Sequence, residues 1–169
     1  MRNFARTSIV IVSLAAMAMG SVAQARSGLV RVRGANGAGT AVAGSRGVAA
    51  RAHGTTTTSD GTVVHGSGGG FYGANGSRGY RASQTSVSPD GTVSRSGQAA
   101  ASGAKGSAST AGGFSRSADG TWSGSRSTQA TNATTGNSYS GSTSIDPATG
   151  KPVHSGTCTD AAGNVISCR

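Results

Sequence analysis

Three near-copies of one phrase, "TSDGTV" (58–63), "SPDGTV" (88–93) and "SADGTW" (117–122), constrain this chain more than anything else in it. Asp-Gly between short β-prone runs is a strong hairpin signal. Gly accepts the left-handed conformation that closes the turn, and Asp bonds the local backbone. Pro89 suits the first central position of such a turn. Looser versions follow in "DPATGK" (146–151) and "DAAGNV" (160–165). The turn residues expected from these phrases are Asp60, Gly61, Asp90, Gly91, Asp119, Gly120, Gly150 and Gly163. All five Asp of the chain lie in them, and there is no Glu. Acidity here is turn chemistry.

The spacing divides further. Turn-like glycines recur at Gly47, Gly61, Gly76, Gly91, Gly106, Gly120, Gly136, Gly150 and Gly163, with gaps of 13 to 16 residues. Val63, Val93, Trp122 and Val165 each stand two places after one of them. One turn in roughly 15 residues leaves strands of up to about 10 residues, filled here by Ser, Thr, Ala, Gly, Val and Arg. The pattern predicts an all-β chain. It is a repetitive antiparallel β-meander or a β-solenoid of about 15-residue units, each neighbour supporting the next. Disorder is the main alternative, because Val, Ile, Leu and Phe make up about a tenth of residues 26–169. Residues 26–57 keep the pattern least clearly and read as a flexible or weakly repetitive arm. Residues 58–169 read as the repetitive β region.

The first 25 residues read as a Sec-type signal peptide. Arg2 and Arg6 precede an apolar run, Ile9 to Met19, that is too short to cross a bilayer. Ala23 and Ala25 then occupy small-x-small positions, which sets cleavage between Ala25 and Arg26. The expectation is export to the periplasm, cell surface or medium, with no transmembrane segment after cleavage. Cys158 and Cys168 fit that compartment. They lie symmetrically about Gly163 and are expected to form a disulfide closing the last hairpin. A zinc site from His154, Cys158 and Cys168 lacks a fourth ligand.

The chemical motifs dissolve on inspection. Gly68-x-Gly70-x-x-Gly73 matches a dinucleotide fingerprint only formally, without the strand-then-helix setting. His53, His65 and His154 are scattered, no Gly-x-Ser-x-Gly elbow occurs, and no carboxylate pair is free of turn duty. The sequons at Asn75 and Asn132 read as turn and strand composition. The chain is therefore expected to be non-enzymatic, with no cofactor and no metal. Charge says more. Without Arg2 and Arg6, 13 basic residues face 5 acidic ones, a balance of +8. Several cations adjoin aromatics, as in Tyr80-Arg81, Phe114-Ser115-Arg116 and Trp122 with Arg126. Such a surface attracts anionic polymers such as lipopolysaccharide, acidic polysaccharide or extracellular DNA, in a salt-sensitive way. No sequence-specific nucleic-acid module accompanies it.

Signal peptide followed by tandem Gly/Ser-rich β units resembles the secreted repeat proteins of Gram-negative bacteria, and in plan the curli-type matrix subunits. The regular Gln and Asn ladders of curli repeats are missing, since Gln84, Gln98 and Gln129 hold no fixed repeat position. "SGQAAASGAKGSASTAGG" also resembles the Gly-Ser-Ala rolls of trimeric adhesin heads. The resemblance implies an exported structural or matrix protein that self-associates through its β edges. The alternative reading is a cationic binder of anionic envelope or matrix polymers.

Overall fold

The computed structural model describes residues 28–168; the expected signal peptide and its cleavage position at Ala25 and Arg26 lie outside them. Eleven strands follow one another in chain order: β1 Gly28–Gly34, β2 Gly37–Gly44, β3 Gly47–Thr57, β4 Val63–Gly73, β5 Arg78–Val87, β6 Val93–Gly103, β7 Gly106–Arg116, β8 Trp122–Asn132, β9 Ser138–Ile145, β10 Pro152–Thr159 and β11 Val165–Ile166. Every strand pairs antiparallel with its sequence neighbours in a single open sheet, so the chain is a meander and not a solenoid.

The repeated phrase makes one repeated turn. In 58–62, 88–92 and 117–121 the Gly61, Gly91 and Gly120 amides donate to the carbonyls of Thr58, Ser88 and Ser117 at 2.9–3.0 Å. The first residue of each turn also donates its amide to the carbonyl of the last Thr at 2.9 Å. The middle Asp accepts the amide of that Thr, at 3.2 Å for Thr62 and 2.8 Å for Thr92 and Thr121. The glycine has φ of 82 to 88° in all three, and all nine period-marking glycines have positive φ. Val63, Val93, Trp122 and Val165 are the first residues of the strands that follow.

Residues 28–57 depart from the expected arm. They form β1, β2 and β3 and continue the ladder in register with β4. Their turns are the two-residue loops Ala35-Asn36 and Ser45-Arg46, each flanked by glycines that pair with one another, Gly34 with Gly37 and Gly44 with Gly47. These turns need no Asp, which is why the Asp-Gly signal fades there. Gly47, at φ 125°, lies against the Tyr72 carbonyl, and any Cβ would strike it. Gly106, at φ 140°, faces the Thr131 carbonyl in the same way.

Cys158 and Cys168 are joined in a disulfide with a Cα–Cα distance of 5.3 Å. The turn at 160–164 has five residues, so Cys158 pairs with Ile166 and the bridge reaches diagonally to Cys168. The two cysteines are therefore offset by two residues from the directly opposed placement that their symmetry about Gly163 suggests.

A domain ordinarily packs two layers around a core. Here the described residues form one layer. Among the described residues the only buried apolar side chains are Ala43 and Val64. Val30 and Val32 are 61% exposed, and Tyr72 and Trp122 more than half. Cohesion rests on the continuous backbone ladder and on cross-strand pairs such as Ser67–Ser83, Ser115–Ser123 and Ser142–Ser155, whose hydroxyls meet at 2.9 Å.

Candidate functional site

Side chains alternate between the two faces of a strand, and paired residues share a face. Tracing the register across the sheet sorts the charge. Arg31, Arg33, Arg51, Arg81, Arg95, Arg116 and Arg126 all project from one face. His53, His65 and His154 project from it too. Among the described strand residues, the opposite face carries a single charged one, Arg78 at the start of β5. We call the first the arginine face and the second the neutral face.

The grouping follows from turn chemistry. Each turn fixes the parity of its flanking strands. Arg51, Arg81, Arg95, Arg116 and Arg126 all stand an even number of residues from Gly61, Gly91 or Gly120. Arg31, Arg51 and Arg81 share one cross-strand row on β1, β3 and β5, with Thr40 and Gly69 between them. Alternate strands put these guanidinium groups' anchor points roughly 10 Å apart.

Between Arg51 and Arg81 the surface sinks. A recess of about 560 Å³ is floored by Gly69, Gly79, Ala99 and Ala101 and bordered by the two arginines and Phe71. A Cβ at Gly69 would come within 3.2 Å of the Arg51 Cβ and closer to the Ala50 carbonyl. One added at Gly79 would run into the Phe71 ring at 2.7 Å. The glycines keep this floor low between the cationic posts.

No acidic residue occupies a strand; all five Asp are in turns at the sheet rims. Asp60, Asp90, Asp119 and Asp146 lie in turns that follow odd-numbered strands and so share one rim, while Asp160 is on the other. Their carboxylates are consumed locally. The Thr58 hydroxyl donates to Asp60 and holds its carboxyl below the usual carboxylate value. The Thr121 amide does the same for Asp119, the Ala148 amide for Asp146 and the Asn164 side chain for Asp160. These groups are spent on turn geometry.

The histidines are engaged with neighbours on their own face. His65 is hydrogen-bonded to Thr55 at 2.9 Å, and the His53 and His65 rings are 6.3 Å apart. His154 bridges Tyr139 at 3.1 Å and Thr143 at 3.0 Å. The sulfurs of Cys158 and Cys168 are oxidised, so neither supplies a thiolate beside His154. Gly68 and Gly70 lie inside β4, extended, rather than at a strand-to-helix turn. Asn75 and Asn132 accept the amides of Ser77 and Thr134 at 3.1 and 2.8 Å, the turn role their sequence setting suggests. No helix among the described residues is long and apolar enough to cross a membrane. No family model, curated protein or solved structure matches the chain.

Proposed function

We propose that the chain is an exported, non-enzymatic protein that binds anionic polymers through its arginine face. The observation that carries this reading is the segregation of seven strand arginines onto one face that bears no carboxylate. Arginine also suits the task, because its planar fork pairs phosphate, sulfate or carboxylate groups in a bidentate way. The disulfide is compatible with an oxidising, exported setting. The ligand class is the anionic envelope or matrix polymer, read by charge and spacing rather than by sequence.

The test is titration of the purified protein with lipopolysaccharide, an acidic polysaccharide and duplex DNA over a range of salt. Binding should weaken steeply and log-linearly with salt. Replacing both Arg51 and Arg81 by Gln should lower the slope on DNA by roughly 0.9 for each phosphate contact removed. Absent or salt-insensitive binding would overturn the reading.

A second reading, a structural or matrix subunit growing edge to edge, is favoured by the open outer edge of the seven-residue strand β1. Two features oppose unlimited growth. Arg31 and Arg33 stand on that edge strand, and β11 at the other end has only two residues. Ordered filaments by negative-stain microscopy would support it. Soluble particles after long incubation at high concentration would overturn it.

A further inference from the structure

The neutral face is itself divided. Across β6 to β10 it is a lattice of serines, as in Ser96, Ser125 and Ser144 along one row. Across β1 to β5 it is mainly apolar, with Val30, Val32, Val48, Tyr72 and Tyr80 projecting among alanines and glycines and with Gln84 and Ser86 toward one end of β5. Val30 and Val32 are 61% exposed, Tyr72 54% and Tyr80 50%. A recess of about 590 Å³ opens there between Val48, Tyr72 and Tyr80. The one charged strand residue of this face, Arg78, pairs with Tyr72, lines that recess and turns its Nε to the Ser102 hydroxyl at 3.2 Å.

A contiguous apolar surface of this kind ordinarily marks an interface. Five strands about 4.8 Å apart and eight residues of about 3.4 Å give a footprint of roughly 650 Å². Two such faces bury roughly 1,300 Å² in total, within the roughly 1,200–2,000 Å² of a stable protein interface. Charge then selects the occupant. Apposing two arginine faces would set seven guanidinium groups against seven, whereas two neutral faces bring only one, Arg78, from each copy. Small Ala and Gly side chains around the tyrosines let the backbones approach, as in stacked sheets.

We propose that two copies of the chain pair back to back through the apolar half of their neutral faces, in an isologous, two-fold arrangement. The second copy is the missing layer. Both arginine faces then point outward on opposite sides, and the pair is bivalent. Bivalence as a cross-linker of polyanions rests on the binding reading above; the pairing does not.

Sedimentation equilibrium of the purified protein tests the pairing directly. The expected mass is twice that of the monomer. Tyr80→Asp should return the monomer mass, and the milder pair Tyr72→Ser with Tyr80→Ser should do so with the β spectrum intact. Phe71→Ser, on the arginine face, should leave the dimer unchanged. A monomer at every concentration would overturn the pairing, as would dissociation by Phe71→Ser but not by the tyrosine variants. Mixing with a polyanion separates the two claims. The dimer should produce turbidity that the monomeric variant, binding with the same affinity per site, does not. An intact dimer that ignores polyanions upholds the pairing and overturns the binding reading.

Discussion

At the scale of single residues, the turn chemistry decides the conformation. Gly103 and Gly106 flank the same two-residue loop, yet only Gly106 has positive φ and faces a backbone carbonyl. Gly106→Ala should cost about 2 kcal/mol in denaturant unfolding, while Gly103→Ala should stay within about 0.5 kcal/mol. The aspartates give a pH signature. Asp60, Asp119, Asp146 and Asp160 are more acidic folded than unfolded. Their contribution is therefore fully present above the ordinary carboxylate value of 3.8 and is lost as pH falls through the depressed folded values. The urea midpoint should fall as pH drops below about 4. Asn in place of these four should flatten that fall. This level was legible in the sequence because a β-turn is a contract among four or five consecutive residues. Asp90, Gly91 and Thr92 contain all that their turn requires.

Elements were legible to the extent that turns announced them. The turns between strands β4 to β8 fall at the period-marking glycines Gly76, Gly91, Gly106 and Gly120. Residues 28–57 were not legible as strands. Their composition, as in "GAGTAVAG", is weakly β-prone, and they are ordered by pairing with β4, a non-local fact. The last hairpin shows a finer limit. Cysteine symmetry about Gly163 suggests direct opposition, whereas the five-residue turn centres on Ala162 and shifts the register. Reduction of Cys158–Cys168 should cost about 2–3 kcal/mol and act locally. Hydrogen exchange should accelerate in β10 and β11 and hold steady in β4 to β8. Global unfolding on reduction would mean that the bridge stabilises the whole sheet.

For the molecule as a whole, neighbour-only pairing and, among the described residues, a single layer govern behaviour. Each strand depends on the two beside it, as in a linear array. Exchange protection should be highest in β4 to β7 and grade off toward both edges. Deleting residues 28–44 should leave the β spectrum of the remaining strands. Collapse of all signal on that deletion would refute a linear array. The arginine face was the part that sequence reading missed. Its members stand at irregular intervals of 2 to 30 positions and share no local motif. The signal was present as parity: Arg95 lies four residues after Gly91 and Arg116 four before Gly120. It becomes readable only once each turn length is known, because one residue more or less moves every side chain of a strand to the other side.

That dependence has a consequence for how such a gene can grow. A tandem duplication of the codons for 93–121 would join Thr121 to a second Val93 and recreate the "DGTV" junction. The chain would gain two strands and about 10 Å of width, with Arg95 and Arg116 repeated on the same side. Nothing upstream or downstream would need to change. Recombination slippage can thus set the reach of the charged surface in whole-hairpin steps, so the number of hairpins is a molecular ruler that selection can lengthen or shorten without redesigning the protein.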